Sequence, residues 1–286
     1  MTDERIPKSL DAKDYATVWD NVARVREHAY ELVDESRTEA EIARSGAELA
    51  PFLVRGLGLT RDDVVLEIGC GVARLGKEVA PHVREWWGLD VSSNMVAIAR
   101  DRCRDLGNVR FFVGNGSDLA GVPSASVDKM YCHAVFIHMD KEDWFRYLVD
   151  ARRVLRPGGL FYFDVWNLCD SVGWLRWQNE RGLYRDRAER PVHRNQFSTP
   201  DEVRMMTRVA GFEPLSMVET FYVQSVVTHV PPGVDRAAYL GEVRRRYGGC
   251  YESMRYSKGD VKTFSQFLIE RLRERGLTPE VRPPTV

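Results

Sequence analysis

The sequence predicts an α/β fold: a mostly parallel sheet of seven strands with helices on both faces. Three observations predict it. From residue 61, short apolar runs alternate with longer amphipathic stretches, the βαβα rhythm of a parallel sheet. The first run, Val64-Val65-Leu66-Glu67-Ile68, passes directly into a glycine turn, Gly69-Cys70-Gly71. A later amphipathic stretch stops at Pro157-Gly158-Gly159, just before another apolar run.

The elements follow in chain order. Residues 14–50 read as helical, with Val18, Val22 and Val25 at helix spacing and Leu32 and Val33 later. The first strand is 64–68, followed by a helix over about 73–80. The second strand, 85–89, ends at Asp90, and Ser92 or Ser93 caps a helix running to about Leu106. Strands at 109–113 and 127–132, a helix at 141–155 and a fifth strand at 160–165 complete the alternation. Residues 171–196 break the rhythm with Arg and aromatic residues and read as an insertion. Thr199-Pro200 then opens a helix, with proline at its first position, that ends near Gly211. Two strand-like runs, 214–223 and 225–230, precede a mainly helical stretch at 235–273. The implied division is an N-terminal helical lid (1–60), a core (61–232) carrying an insertion or substrate lid (171–197), and a C-terminal helical extension (233–286).

Composition limits the function classes. Of 286 residues, 44% are hydrophobic and 29% charged, and the net charge is -1. This balance supplies a core and gives no global attraction to nucleic acid or anionic membrane. Five cysteines, at 70, 103, 132, 169 and 250, form no CxxC pair and read as reduced thiols. The start has no apolar signal region, and no stretch approaches the roughly 18 uncharged apolar residues of a membrane span. The expectation is a cytoplasmic protein with no membrane partner; a homodimer stays open.

The glycine turn is the main chemical motif. Glycines let the backbone turn sharply and let a ligand approach without a Cβ in the way. A dinucleotide loop needs G-x-G-x-x-G, but the third glycine position is Arg74. Glu67, ending the strand, would also repel a pyrophosphate. A cationic sulfonium with an amino-acid tail meets neither conflict. A NAD-dependent oxidoreductase remains the alternative reading of the fold.

Here the chain resembles class I S-adenosylmethionine-dependent methyltransferases with a Rossmann-like sheet, in their UbiE-like small-molecule branch. Four motifs carry the likeness, over 61–165 well and 198–230 loosely. They are Glu67-Ile68-Gly69-Cys70-Gly71 with Ala73 at the third small position, Leu89-Asp90-Val91-Ser92, Gly114-Asn115-Gly116-Ser117-Asp118-Leu119, and Val154-Leu155-Arg156-Pro157-Gly158-Gly159. The resemblance implies S-adenosylmethionine as cofactor and S-adenosylhomocysteine as product. It implies cofactor contacts from Glu67, Gly69, Cys70, Gly71, Arg74, Asp90, Val91, Met95, Asn115, Gly116, Ser117 and His133. Asp90 offers two acceptor oxygens to the ribose hydroxyls, and Met95 packs on adenine. At Asp90 a helix cap, and at Met95 plain core packing, are the alternatives. The family often has Asp where this chain has Asn115.

Methyl transfer is an in-line displacement that depends mainly on alignment. An amine needs no base, whereas a hydroxyl generally does. Candidates are His133 and His138, which titrate near neutrality, and Tyr15 in a lid-like Asp14-Tyr15-Ala16-Thr17-Val18-Trp19 segment. Each also has a packing alternative. Tyr15, Trp19, Asp164, Trp166, Trp174 and Tyr222 are expected to border the acceptor. No cluster of oxygen ligands suggests a metal. The stretch 171–195 holds Arg176, Arg181, Arg185, Arg187, Arg190 and Arg194, which fits either an acidic substrate or a solvated helix face.

Three function classes follow. The first is methylation of a small-molecule acceptor, at N or O, plausibly in secondary metabolism. The second is a tRNA or ribosomal RNA methyltransferase, which the near-neutral charge makes an unlikely nucleic-acid partner. The third is a non-methylating binder of the same cofactor.

Overall fold

The structure, a computed structural model, describes residues 14–254 and 258–281. Parts of the expected N-terminal lid (1–13) and C-terminal extension (255–257 and 282–286) lie outside the described residues. Among the described residues one sheet contains β1 (Val64–Ile68), β2 (Glu85–Asp90), β3 (Val109–Val113), β4 (Val127–Cys132), β5 (Leu155–Asn167), β6 (Phe197–Ser198), β7 (Glu213–Glu219) and β8 (Tyr222–Thr228). The strand order is β3-β2-β1-β4-β5-β8-β7, and the short β6 pairs with β5 off that path. Strands β1 to β5 pair in parallel, whereas β8 runs antiparallel to both β5 and β7. The seven-strand path is the one expected; β6 is additional.

The helices are α1 (Tyr15–Val22), α2 (Arg26–Asp34), α3 (Glu39–Gly56), α4 (Gly76–Val79), α5 (Ser93–Arg102), α6 (Lys141–Val154), α7 (Ser171–Leu183), α8 (Pro200–Val209), α9 (Arg236–Tyr251) and α10 (Lys258–Glu274). Their starts are set by side chains that satisfy otherwise unpaired amides. Thr38 and Thr199 form capping boxes with Glu41 and Glu202, while Ser92 and Asp235 cap α5 and α9.

Strand alternation sorts the core into two layers. Val64, Leu66 and Ile68 face one layer with Trp144 and Leu148 of α6 and Val203 of α8. Val65, Trp86, Tyr131 and Tyr162 face the other, against Leu53 of α3, Val79 of α4, Ala99 of α5 and Tyr247 of α9. Trp86 fills this second layer so completely that a Cβ on Gly76 or Gly88 would lie 2.0 or 2.4 Å from its ring. Its indole N–H donates to the Tyr131 hydroxyl at 2.9 Å, and that hydroxyl donates to Glu67 at 2.7 Å. Two smaller clusters flank the strand ends. One joins α1 and α2 to Val72 and Met95; the other joins α7 and α10 to Trp166 and Tyr222.

Several expectations need correction. The helical stretch expected over 14–50 is three helices. Glu35 takes a left-handed φ of 55° that stops α2, and the Thr38 box restarts the chain as α3, which runs through Pro51 to Gly56. The helix expected at 73–80 shrinks to α4 because Ala73 still belongs to the turn, with φ of 56°. Likewise α5 ends at Arg102, short of Leu106. Strand β5 starts at Leu155, paired with Val127, and resumes with Leu160 opposite Lys129, so residues 156–159 bulge. The last turn falls at Thr220-Phe221, not near 224. Residues 221–228 are buried on both faces, so their apolar pattern does not mark where the strand begins. The segment 171–196 opens as regular helix, with Asp170 accepting from the Val172 amide at 2.8 Å.

Candidate active site

The strand order reverses between β1 and β4, so the loops leaving their carboxyl ends diverge and leave a crevice. A cavity of about 950 Å³ occupies it, at the upper end of the ~300–1,000 Å³ range of small-molecule sites. It is lined at one end by Glu67, Gly69, Cys70, Gly71, Arg74, Asp90, Val91 and Met95. At the other lie His133, His138, Trp166 and Tyr222, with Tyr15 and Trp19 alongside. Residues expected from separate motifs therefore share one space.

The glycine turn is held from below. The amides of Gly69 and Cys70 both donate to the Leu89 carbonyl, at 2.7 and 3.0 Å. Gly69 has φ of 70°, and a Cβ there would lie 2.5 Å from Val135, so only glycine fits. Asp90 ties the turn to the next motif: one carboxylate oxygen accepts from the Gly71 amide at 2.8 Å, the other from the Ser92 amide at 2.9 Å. Burial pushes the Asp90 carboxyl up to about 6, against the pull of those two amides. Burial pushes Glu67 up to about 8, although the Tyr131 hydroxyl and the Arg74 charge oppose it. Arg74 reaches Ser45 at 3.1 Å and Asp34 at 3.4 Å, linking the turn to α2 and α3.

Two carboxyls short of solvation therefore face one end of the cavity. A cation relieves both, and a pyrophosphate relieves neither. The donor set fits S-adenosylmethionine, with its sulfonium and ammonium charges. A testable consequence concerns pH. Glu67 holds its proton more tightly folded than unfolded, so its stabilising contribution is present at low pH and is lost as pH rises from 4.5 towards about 8. Thermal melts of ligand-free Glu67→Gln are expected to show a flatter pH dependence than wild type between about pH 7 and 8, above the midpoint of Asp90 at about 6. Parallel curves would place the titration elsewhere.

The remaining predicted residues divide. Asn115 does not line the cavity. It is exposed, and its amide oxygen accepts from the Ser117 and Asp118 amides at 2.9 and 3.0 Å. Ser117 belongs to that same turn. Gly116 lies behind the cavity wall, where a Cβ would come within 3.3 Å of Val91 and 3.5 Å of Tyr15. Met95 combines both of its readings, buried against Val18 and Val22 while lining the cavity. The Tyr15 ring also lines it, but its hydroxyl is engaged, accepting from the Asp140 amide at 2.9 Å and donating to Asp143 at 3.1 Å. Tyr15 thus staples α1 to the start of α6.

At the far end His133 carries a defined partner. Its Nδ1 lies 2.5 Å from an Asp164 oxygen that also accepts from the Tyr162 hydroxyl at 2.8 Å, while the other Asp164 oxygen accepts from the Ala134 amide at 2.7 Å. Asp164 is fully buried, so it stands behind His133 and is not a pocket wall, as had been expected. With Nδ1–H donated to Asp164, Nε2 carries the lone pair. His138 is pushed down to about 4 by burial and hydrogen-bonds the His193 carbonyl at 2.9 Å. It stays neutral, edge-on to Trp19 at 5.5 Å. Trp174 does not line the cavity either; it stacks on Trp177 at 4.8 Å, and α7 presents Arg176 instead. Sequence reasoning missed Phe264 and Phe267 of α10, which line this end from a distant part of the chain. It also missed Asp34 and Glu35 at the end of α2. No local motif marks either group. Among the described residues, no helix is long and apolar enough to cross a membrane.

Residues 65–159 match a family described as a methyltransferase domain. Demethylmenaquinone methyltransferase of Tropheryma whipplei is 36% identical over 103 residues, covering 36% of this chain and 41% of that one. Methyltransferase GfsG of Streptomyces halstedii is 31% identical over 124 residues, covering 41% and 43%. The chain thus spans less than half the length of these relatives. An S-adenosylmethionine-dependent methyltransferase structure from Clostridium acetobutylicum has the same fold, with a TM-score of 0.52 at 15% identity, covering 71% of this chain and 97% of that one. The motif resemblance is borne out at the level of the match and the fold: residues 65–159 match a methyltransferase domain, and the sheet around them has the fold of a solved S-adenosylmethionine-dependent methyltransferase.

Proposed function

We propose that the protein methylates a hydroxyl group on a small-molecule acceptor with S-adenosylmethionine. The observation that carries this reading is the single cavity joining the Glu67–Asp90 end to the His133–Asp164 pair. When bound, S-adenosylmethionine supplies an electrophilic methyl group. Asp90 would hold the ribose hydroxyls, Gly69 and Gly71 would admit the methionine portion, and Glu67 would face its positive charge. Tyr15 and Trp19 close the cavity from the N-terminal side and exclude water. His133 Nε2 would accept the hydroxyl proton as the oxygen bonds to the methyl carbon and the methyl–sulfur bond breaks, leaving S-adenosylhomocysteine, and Asp164 would stabilise the resulting imidazolium without taking the proton. Trp166 and Tyr222 flank the acceptor body.

A cavity of about 950 Å³ with an aromatic far end favours a small acceptor over an RNA. The expected partner is therefore a metabolite of the cytoplasm, with no metal required for alignment. Calorimetry tests the cofactor part: micromolar-range binding of S-adenosylhomocysteine and none of NAD are expected. The opposite pattern would overturn the reading. A methyl-transfer screen over metabolite extracts, with products identified by mass, tests the acceptor part. Modification of tRNA alone would replace the small-molecule reading by the RNA one.

A further inference from the structure

Of the six arginines between 171 and 195, Arg176 alone lines the cavity. Of the others, Arg194 pairs with Asp140 at 3.2 Å, Arg185 pairs with Asp186 at 3.3 Å, Arg181 lies over Trp177 and Arg187 over Tyr184. Among the described residues, Arg176 makes no hydrogen bond from its guanidinium. Its nearest carboxylate is Glu180, at 3.6 Å, and its Nε is buried without a partner. Glu180 forms an ion pair with it at that distance but no hydrogen bond. One of its oxygens accepts from Asn195, which in turn accepts from the Trp166 indole, and the other is buried without a partner. Buried donors are almost always satisfied, so a guanidinium in this state is set to receive an anion from the cavity. Its planar fork matches a carboxylate.

The wall between Arg176 and His133 is aromatic. Arg176 lies 5.8 Å over the Trp166 ring. Trp166 packs against Tyr222 at 4.5 Å and stacks on Phe264 at 5.8 Å with 14° between planes. The Tyr222 ring stands edge-on to His133 at 6.5 Å. Ring faces select a flat apolar body. A cationic fork at one end and a proton acceptor at the other select its two polar ends.

We propose that Arg176, Trp166, Tyr222 and Phe264 form an acceptor subsite for a flat aromatic hydroxy acid, its carboxylate on Arg176 and its hydroxyl towards His133. This rests on the methyl-transfer reading above and names its substrate class. Arg176 is the specificity-determining residue: it separates an acid from its neutral ester.

The test uses the full chain with 4-hydroxybenzoate, 4-hydroxycinnamate and 3,4-dihydroxybenzoate, each beside its methyl ester. Binding is followed by calorimetry with and without saturating S-adenosylhomocysteine. At least one acid is expected to bind about 10- to 100-fold tighter than its ester, the usual range for hydrogen bonds to a charged partner. Arg176→Leu is expected to abolish that difference while leaving ester and S-adenosylhomocysteine affinities unchanged. Arg176→Lys keeps the charge without the fork and is expected to retain part of the preference. Acid-to-ester ratios near one, no binding of any acid, or equal loss of acid and ester in Arg176→Leu would each overturn the subsite. Failure of S-adenosylhomocysteine to bind while the acid preference holds would sink the methyl-transfer reading and leave the subsite standing.

Discussion

Alanine at position 133 is expected to slow methyl transfer by roughly 10²- to 10⁴-fold, the usual contribution of a positioned proton acceptor, while S-adenosylhomocysteine affinity changes little. The expectation follows from the geometry around Asp164. Its buried carboxylate takes three hydrogen bonds, from His133, Tyr162 and the Ala134 amide, and so fixes both the ring orientation and the tautomer. The companion variant is Asp164→Asn. It keeps the shape but has one acceptor oxygen in place of two, so its NH₂ group must face either the Ala134 N–H or the His133–Tyr162 side. In the second arrangement the histidine proton moves to Nε2 and the base is lost. Turnover is therefore expected to fall in Asp164→Asn too, through positioning alone. Single-turnover rates at saturating cofactor, with S-adenosylhomocysteine affinity measured in parallel, give the readout. Equal losses in rate and affinity for His133→Ala would assign the residue to binding.

The second large effect is expected at Asp90. Its two oxygens already hold the amides of Gly71 and Ser92, so Asp90→Ala removes the proposed ribose partner and also unhooks the glycine turn from the second strand. S-adenosylhomocysteine affinity is expected to fall by on the order of 1–3 kcal/mol, or about 5- to 150-fold. Asp90→Asn keeps one acceptor and should fall between. Calorimetry decides, and an unchanged affinity in Asp90→Ala would remove Asp90 from the site.

Much of this was legible in the sequence because the relevant signals are local. A strand that runs into Gly69-Cys70-Gly71 and another that ends at Asp90 are written in consecutive residues, and so are the capping residues Ser92 and Thr199. The sequence could not show what depends on separation along the chain. Asp164 is expected at the pocket wall from its place at the end of the fifth strand. Its place behind His133 is set by the register of β5 against β4, where Tyr131 pairs with Tyr162 and Cys132 with Phe163. Phe264 reaches the cavity because α10 packs on α7, a contact between segments about a hundred residues apart. The break between α2 and α3 turned on one residue, Glu35, adopting a backbone conformation that its side chain does not announce.

The Trp86 indole carries one last consequence, for how this sequence is free to drift. Gly76 and Gly88 lie at its two sides with no space for a methyl group, and its N–H leads through Tyr131 to Glu67. Either glycine can change only after the tryptophan has given way to a smaller residue, and Gly88 needs Cys70 to yield as well, since its Sγ would lie 2.9 Å from the added Cβ. That prior change would strand the Tyr131 hydroxyl and disturb the acid at the cavity. Related chains should therefore replace these positions as a set, with the tryptophan first and the glycines afterwards.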